Sequence, residues 1–280
     1  MPTSATPQGS PTPAPTPVAQ GIPAPPPPTP QRVNVLGVPL GLTDYAQTIE
    51  WMDAMVASGQ RGYLTAAAVH LVMVAQEDEQ TRRAVLGATL AVPDGQPLVW
   101  ALRALGHSGA SRVYGPELMA RYCEHAAHTG ARIYLYGGRH QGALVQLTLN
   151  LRQRFPGIRI VGGFSPPFRP LTDEEESRVV EEINRSAADV VWVGTGQPKQ
   201  ELWMAQMRDR LQAPMLVGVG AAFDFHAGLI SQAPWWMQRV GLEWTYRLSR
   251  EPRRLWRRYA RYNPRFVLGF ARQYLGHRGA

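Results

Sequence analysis

Cysteine is nearly absent: Cys123 is the only one in 280 residues. No disulfide can form within the chain and no cysteine-rich zinc site can be assembled, which suits a reducing compartment. Lysine is as scarce. Of 29 basic residues only Lys199 is a lysine, so an arginine at any one position carries little information, while the lone ammonium group stands out. No apolar run approaches the roughly 18 residues of a membrane-spanning helix. The N-terminus lacks the basic and apolar regions of a secretory signal. Together these absences lead to the expectation of a cytoplasmic protein. HExxH and DxD are missing, as is the GxSxG of serine hydrolases. Neither a recognisable metal centre nor a nucleophile elbow is therefore expected.

Charge is missing from residues 1–31, which contain twelve prolines and no charged side chain. Such a stretch cannot bury a core and is expected to be a disordered tail of polyproline character. Acid is missing from the other end. Residues 245–280 hold ten arginines and one acid, Glu251, a local net charge of +9 against +8 for the whole chain. Everything before residue 245 is thus close to neutral. The arginines are interleaved with Trp256, Tyr259, Tyr262 and Phe266. A segment of this kind seeks phosphate, nucleic acid or an anionic lipid surface.

Between these ends, from Arg32, apolar runs alternate with amphipathic stretches. RVNVLGVPLG reads as two short strands around Gly37, and 42–58 as a helix opened by Thr43 and Asp44. Six apolar runs follow, at 62–65, 89–92, 132–136, 158–161, 190–193 and 215–219. Stretches long enough for helices separate most of them, at 71–86, 116–129, 141–155, 172–186 and 200–211. This alternation predicts an α/β fold: an open, Rossmann-like parallel sheet with helices on both faces. The expected division is a tail over 1–31, an α/β domain over 32–244 and a basic appendage over 245–280.

In open parallel sheets ligands bind beyond the carboxyl ends of the strands. Those ends carry Thr65, Pro93-Asp94-Gly95, Gly137-Gly138, Gly194-Thr195-Gly196 and Gly218-Val219-Gly220. Asp94, on a tight loop, is placed either as a general base or as an ordinary turn residue. Gly137 and Gly138 allow close backbone approach ahead of a helix start that suits phosphate, or simply a tight turn. The two GxG triplets fail the dinucleotide fingerprint, having Lys199 and Phe223 at its sixth position. GQPKQE, residues 196–201, places Gln197, Gln200, Glu201 and Lys199 at a helix start, as ligand contacts or as solvated caps. His70 and His226 read as structural, and Cys123 as core.

The run VPDG, then RVYGPELM, IYLYGG, VGTGQPKQELW, VGVGAAFDFHAG and QAPWWMQRVGLEWTYRLSREPRRLWRRY resembles the WecG/TagA/CpsF family of glycosyltransferases over about 35–259. The resemblance implies an inverting transfer from a UDP-sugar to a lipid-diphosphate-linked acceptor in bacterial cell-surface polysaccharide assembly. It also implies a short N-terminal hairpin, no essential divalent metal, and a protein peripheral on the inner face of the plasma membrane. A homo-oligomer stays open. Asp94 matches the family's base and Thr65 its threonine near the donor sugar. Gly137, Gly138, Gly196, Gln197, Lys199, Gln200, Glu201 and Asp224 are expected around UDP. Arg247, Arg254 and Arg257 match the arginines expected on the leaving diphosphate. The more distal Arg258, Arg261, Arg265 and Arg272 are expected at lipid headgroups. Where the family usually reads Thr-x-Asn, this chain has Thr65-Ala66-Ala67, which leaves the donor open between N-acetylmannosamine and a plain hexose such as glucose. A single-strand nucleic-acid binder would use the same arginines and aromatics but would leave the strand-end motifs unexplained, so no nucleic-acid partner is expected.

Overall fold

The computed structural model describes residues 27–278, with the Arg254 side chain outside that description. Of the expected tail, residues 1–26 lie outside it as well. Two short strands, β1 (Arg32–Val35) and β2 (Val38–Gly41), form an antiparallel hairpin. Helix α1 (Tyr45–Ser58) follows, opened by a capping box in which Asp44 accepts from Gln47 N and the Gln47 side chain answers to Asp44 N. Strand β3 (Gly62–Ala67) leads to α2 (Val69–Glu77) and α3 (Glu79–Leu86). The single helix expected over 71–86 is broken because Asp78 leaves helical geometry and caps α3, accepting from Thr81 N at 2.7 Å.

Strand β4 (Leu90–Pro93) is followed by α4 (Gln96–Ala104) and α5 (Gly115–Thr129). Then come β5 (Arg132–Gly137), α6 (Gln141–Arg154), β6 (Arg159–Phe164), α7 (Asp173–Arg185), β7 (Val190–Gly194), α8 (Lys199–Met207), β8 (Met215–Gly218) and the short α9 (Ala222–His226). The C-terminal region is helical: α10 (Trp235–Arg239), α11 (Glu243–Arg250) and α12 (Pro252–Arg278). Pro252 starts α12, where its missing N–H costs nothing. Helix α11 begins ahead of residue 245, so it bridges the α/β region and the expected appendage.

The sheet has eight strands in the order β1-β2-β4-β3-β8-β7-β5-β6, parallel except for the hairpin. This is the Rossmann-like α/β architecture. Central strands are buried on both faces, so β3, β7 and β8 read as continuous apolar runs rather than alternating ones. One core layer gathers Leu64, Leu135, Trp192 and Val217 under α1, α5 and α6. On the opposite face Tyr134, Val191, Leu216 and Met204 pack beneath α7 and α8. Cys123 lies fully buried in the first layer, where burial pushes its thiol up to about 12.

Two close approaches shape the carboxyl edge. Gly137 has φ 143°, and a Cβ there would lie 2.7 Å from the Gly194 carbonyl carbon. Gly194 in turn receives the Phe223 ring, which would meet a Cβ at 2.2 Å. Strands β5, β7 and the start of α9 can meet only because both positions are glycine.

Candidate active site

A cleft of about 960 Å³ opens at the carboxyl ends of β3, β4, β5, β7 and β8. It lies where strand order reverses, the position at which open α/β sheets take ligands. Its floor includes Ala66, Gly138, Gly194, Gly196 and Gly220; its walls include Asp94, Lys199, Asp224, Arg247 and Arg258. One side is a loop, 165–171, with three prolines and the exposed Phe168.

Asp94 is held by three backbone contacts. Its N–H donates to Ala67 O at 2.9 Å, and its carbonyl accepts from Arg112 Nε. Its Oδ1 accepts from Gly115 N at 2.7 Å. Gly115 opens α5, whose N-cap residue Tyr114 offers no side-chain cap. Asp94 therefore caps α5 from a neighbouring loop, at the end of the helix where negative charge is favoured. Its other oxygen, Oδ2, has no hydrogen-bond partner among the described residues. Burial raises the carboxyl to about 6; Arg112, the Gly115 N–H and Arg247 act against that rise, and Glu243 adds to it.

Several expected site residues lie elsewhere. Thr65 is fully buried and donates to Glu201 Oε1 at 2.6 Å, beneath the floor rather than in the cleft. Gln200 and Glu201 are buried with it: Gln200 Nε2 donates to Glu201 Oε1 at 2.8 Å, and Gly220 N donates to Gln200 Oε1 at 2.9 Å. The reason is the helical phase of α8, which turns these two side chains toward β3 and β8 while Lys199 keeps to the cleft. Burial raises the Glu201 carboxyl, against the hydrogen bonds from Thr65 and Gln200. Gln197 lines the cleft and donates to Ala66 O at 2.7 Å. Gly137 sits behind Gly138, spacing β5 from β7.

Asp224 lines the cleft, but its Oδ2 is ion-paired with Arg139 Nε at 3.0 Å. Arg139 also reaches Glu251 Oε1 at 3.5 Å. Arg247, on α11, reaches the cleft as expected. Arg257 does not: it is exposed, over the Trp256 ring at 5.5 Å. Its neighbour Arg258, one residue and about 100° further round the helix, lines the cleft instead. The Arg254 side chain lies outside the described residues. Arg261 and Arg265, expected at headgroups, are drawn to Glu77 at the end of α2. Gln273 extends this seam, accepting from Leu36 N at 2.9 Å and donating to Asn34 O at 2.8 Å. Trp256, Val267, Leu268, Arg272 and Leu275 remain exposed on α12, as do Trp235 and Trp236 on α10.

Three site residues escaped the sequence reading, Arg112, Arg139 and Glu243, and Arg258, expected at lipid headgroups, lines the cleft. Arg112, Glu243 and Arg258 stand inside quoted motifs and Arg139 directly follows one, so position was a usable signal. His70 and His226 are structural. His226 Nε2 lies 2.8 Å from Pro116 O, and His70 sits edge-on to Tyr262 at 5.2 Å. Burial, with Arg258 adding, lowers His70 to about 3. No group of three or more His, Cys, Asp or Glu side chains that could hold a metal ion occurs among the described residues. No described helix is long and apolar enough to cross a membrane. A family model described as "Glycosyl transferase WecG/TagA/CpsF family" matches residues 33–280.

Proposed function

The chain belongs to that family of glycosyltransferases, and from this premise we propose that it is an inverting transferase acting on a UDP-sugar and a lipid-diphosphate-linked acceptor. The observation that carries the mechanism is Asp94: a cleft carboxylate with one oxygen fixed, the other unpartnered, and a proton affinity raised above that of an ordinary aspartate. With the group at about 6, Asp94 is mostly ionised near neutral pH yet a stronger base than a solvated carboxylate.

In this reading Asp94 Oδ2 takes the proton of the acceptor hydroxyl. The hydroxyl oxygen forms the new bond to the anomeric carbon, and the bond to the β-phosphate oxygen breaks on the opposite face. The electron pair of that bond leaves with UDP, so negative charge grows on the diphosphate. Arg247 and Arg258, which line the cleft, stabilise it when the helices that carry them are seated. Gly138, Gly196, Gln197 and Lys199 surround the nucleotide, and the Thr65–Glu201–Gln200 group supports the floor beneath them. Asp224 acts through Arg139 rather than as a free acceptor for ribose hydroxyls.

The exposed tryptophans of α10 and α12, with Val267, Leu268 and Leu275, support a peripheral position on the inner face of the plasma membrane. Apolar side chains rimmed by arginines suit an anionic headgroup layer. The lipid-linked acceptor would be met there.

The test is a panel of UDP-sugars screened for thermal stabilisation, with hits assayed for UDP release in the presence of lipid-diphosphate acceptors. We expect one sugar to stabilise the protein and to turn over. Asp94→Asn should keep the fold, because an amide oxygen can still accept from Gly115 N, and should lose about 10²–10⁴-fold in rate. Undiminished turnover in that variant would remove Asp94 as the base.

A further inference from the structure

Arg112 holds two parts of the molecule at once. Its Nε donates to the carbonyl of Asp94, and its Nη2 lies 2.6 Å from Glu243 Oε2 on α11. Both partners of this ion pair are withdrawn from water, with side-chain exposures of 16% and 12%. The guanidinium also stacks over the Tyr114 ring, 4.2 Å from its centroid. A single cation thus joins the loop that carries the base to the first helix of the appendage.

The groups facing Asp94 come from three elements. Arg112 and Tyr114 lie on the loop before α5, Tyr45 on α1, and Glu243 and Arg247 on α11. Helix α11 therefore brings one charge of each sign. Glu243 acts on Asp94 more strongly than Arg247 does, and it also sits directly on Arg112. An arginine in this position, left without its carboxylate, would favour the ionised form of any acid beside it.

We propose that Glu243 is a positioning residue that couples the seating of the appendage to the basicity of Asp94. This rests on the reading of Asp94 as base and adds a means of regulating it. With α11 seated, Glu243 compensates Arg112, and Asp94 binds its proton tightly enough to draw it from an acceptor hydroxyl. With α11 displaced, the uncompensated Arg112 favours the carboxylate and the base weakens. The base is therefore at full strength only when the helix that delivers Arg247 is in place, so proton removal and diphosphate stabilisation become available together.

The experiment follows the Asp94 carboxyl carbon by NMR across pH, in full-length protein labelled with ¹³C-aspartate and assigned by the signal lost in Asp94→Asn. Glu243→Gln is expected to lower the Asp94 midpoint by about one pH unit. The acid limb of kcat/KM should move in the same direction, kcat near neutral pH should fall several-fold, and KM for the donor should change little. Glu243→Asp should restore part of the midpoint. Arg112→Gln should move it the opposite way, upward, which keeps the test decisive if Glu243→Gln loosens α11. An Asp94 midpoint unmoved in both folded variants would overturn the coupling. Midpoints that move as expected while Asp94→Asn turns over undiminished would leave the coupling standing and sink the assignment of Asp94 as base.

Discussion

The sheet and the C-terminal appendage are held by different forces. In the sheet, Leu64, Trp192 and Val217 are fully buried, and whole strands are closed off from water. In the C-terminal helices, α10 and α11 bury no residue, and on α12 only Leu255 and Phe266 are buried among the described residues. Phe266, with Tyr262 and Phe270 beside it, packs α12 onto the apolar cluster of the hairpin and α2, and the other attachments are polar: Arg112 with Glu243, Arg139 with Glu251, Arg261 and Arg265 with Glu77, and Gln273 with the hairpin backbone. Apolar burial is not weakened by charge screening, whereas partly exposed ion pairs are. The cleft wall that carries Asp94 is thus rigid, while the wall that carries Arg247 and Arg258 rests on contacts the surroundings can loosen. A substrate-facing surface built this way can open and reseat without disturbing the core.

The sharpest way to break this comparison is in the core. Trp192→Ala should cost about 3–5 kcal/mol of stability, read from denaturant midpoints. A cost under about 1 kcal/mol would mean that the sheet is not the rigid half. Next comes Asp94→Asn read as stability rather than rate. The folded group at about 6 lies above its unfolded value, so the native state binds the proton more tightly and loses stability as pH rises from about 4 to about 6. The amide variant escapes that loss. It should melt above the wild type at pH 8, and the gap should close toward pH 4. An unchanged gap across that range would contradict the raised carboxyl.

A smaller effect is expected at Glu77. Glu77→Gln should change global stability by under about 1 kcal/mol, yet hydrogen exchange along α12 should rise, and added salt should do the same to the wild type. Protection of α12 that is indifferent to both would show that packing, not charge, seats it. Smallest of all is the expected response to chelation. Excess EDTA should leave UDP release unchanged if arginines carry the leaving charge, and a loss restored by added magnesium would reassign that task.

Much of the α/β fold was legible because its cause is local. Central strands announced themselves as short apolar runs ending in glycine or aspartate, and helices as the stretches between. The break at Asp78 was missed because the apolar pattern continues across it and only the cap reveals the turn. Within the site, strand-end loops carried Asp94, Gly138 and Gly196 to the cleft. What stayed hidden was long-range partnership. Arg112 and Glu243 are 131 residues apart, and nothing in either neighbourhood names the other. Thr65, Gln200 and Glu201 looked like ligand contacts because polar residues at strand ends usually are. The burial of Gln200 and Glu201 follows from a helix phase that the sequence does not reveal, and they close over Thr65 on β3. Arg257 and Arg258 differ in the same way: the restart at Pro252 resets the phase of α12.

Gln273 closes onto Asn34 and Leu36, residues synthesised some 237 positions earlier. During translation the hairpin leaves the ribosome well before the helix that covers it. While the rest of the sheet is made, the Leu36 tip waits without the helix that will shield it. An exposed apolar hairpin at a sheet edge is an invitation to mispairing. Chains stalled before α12 should therefore engage chaperones more than released ones do, a cost of keeping the arginine-rich helix and the sheet edge on one seam.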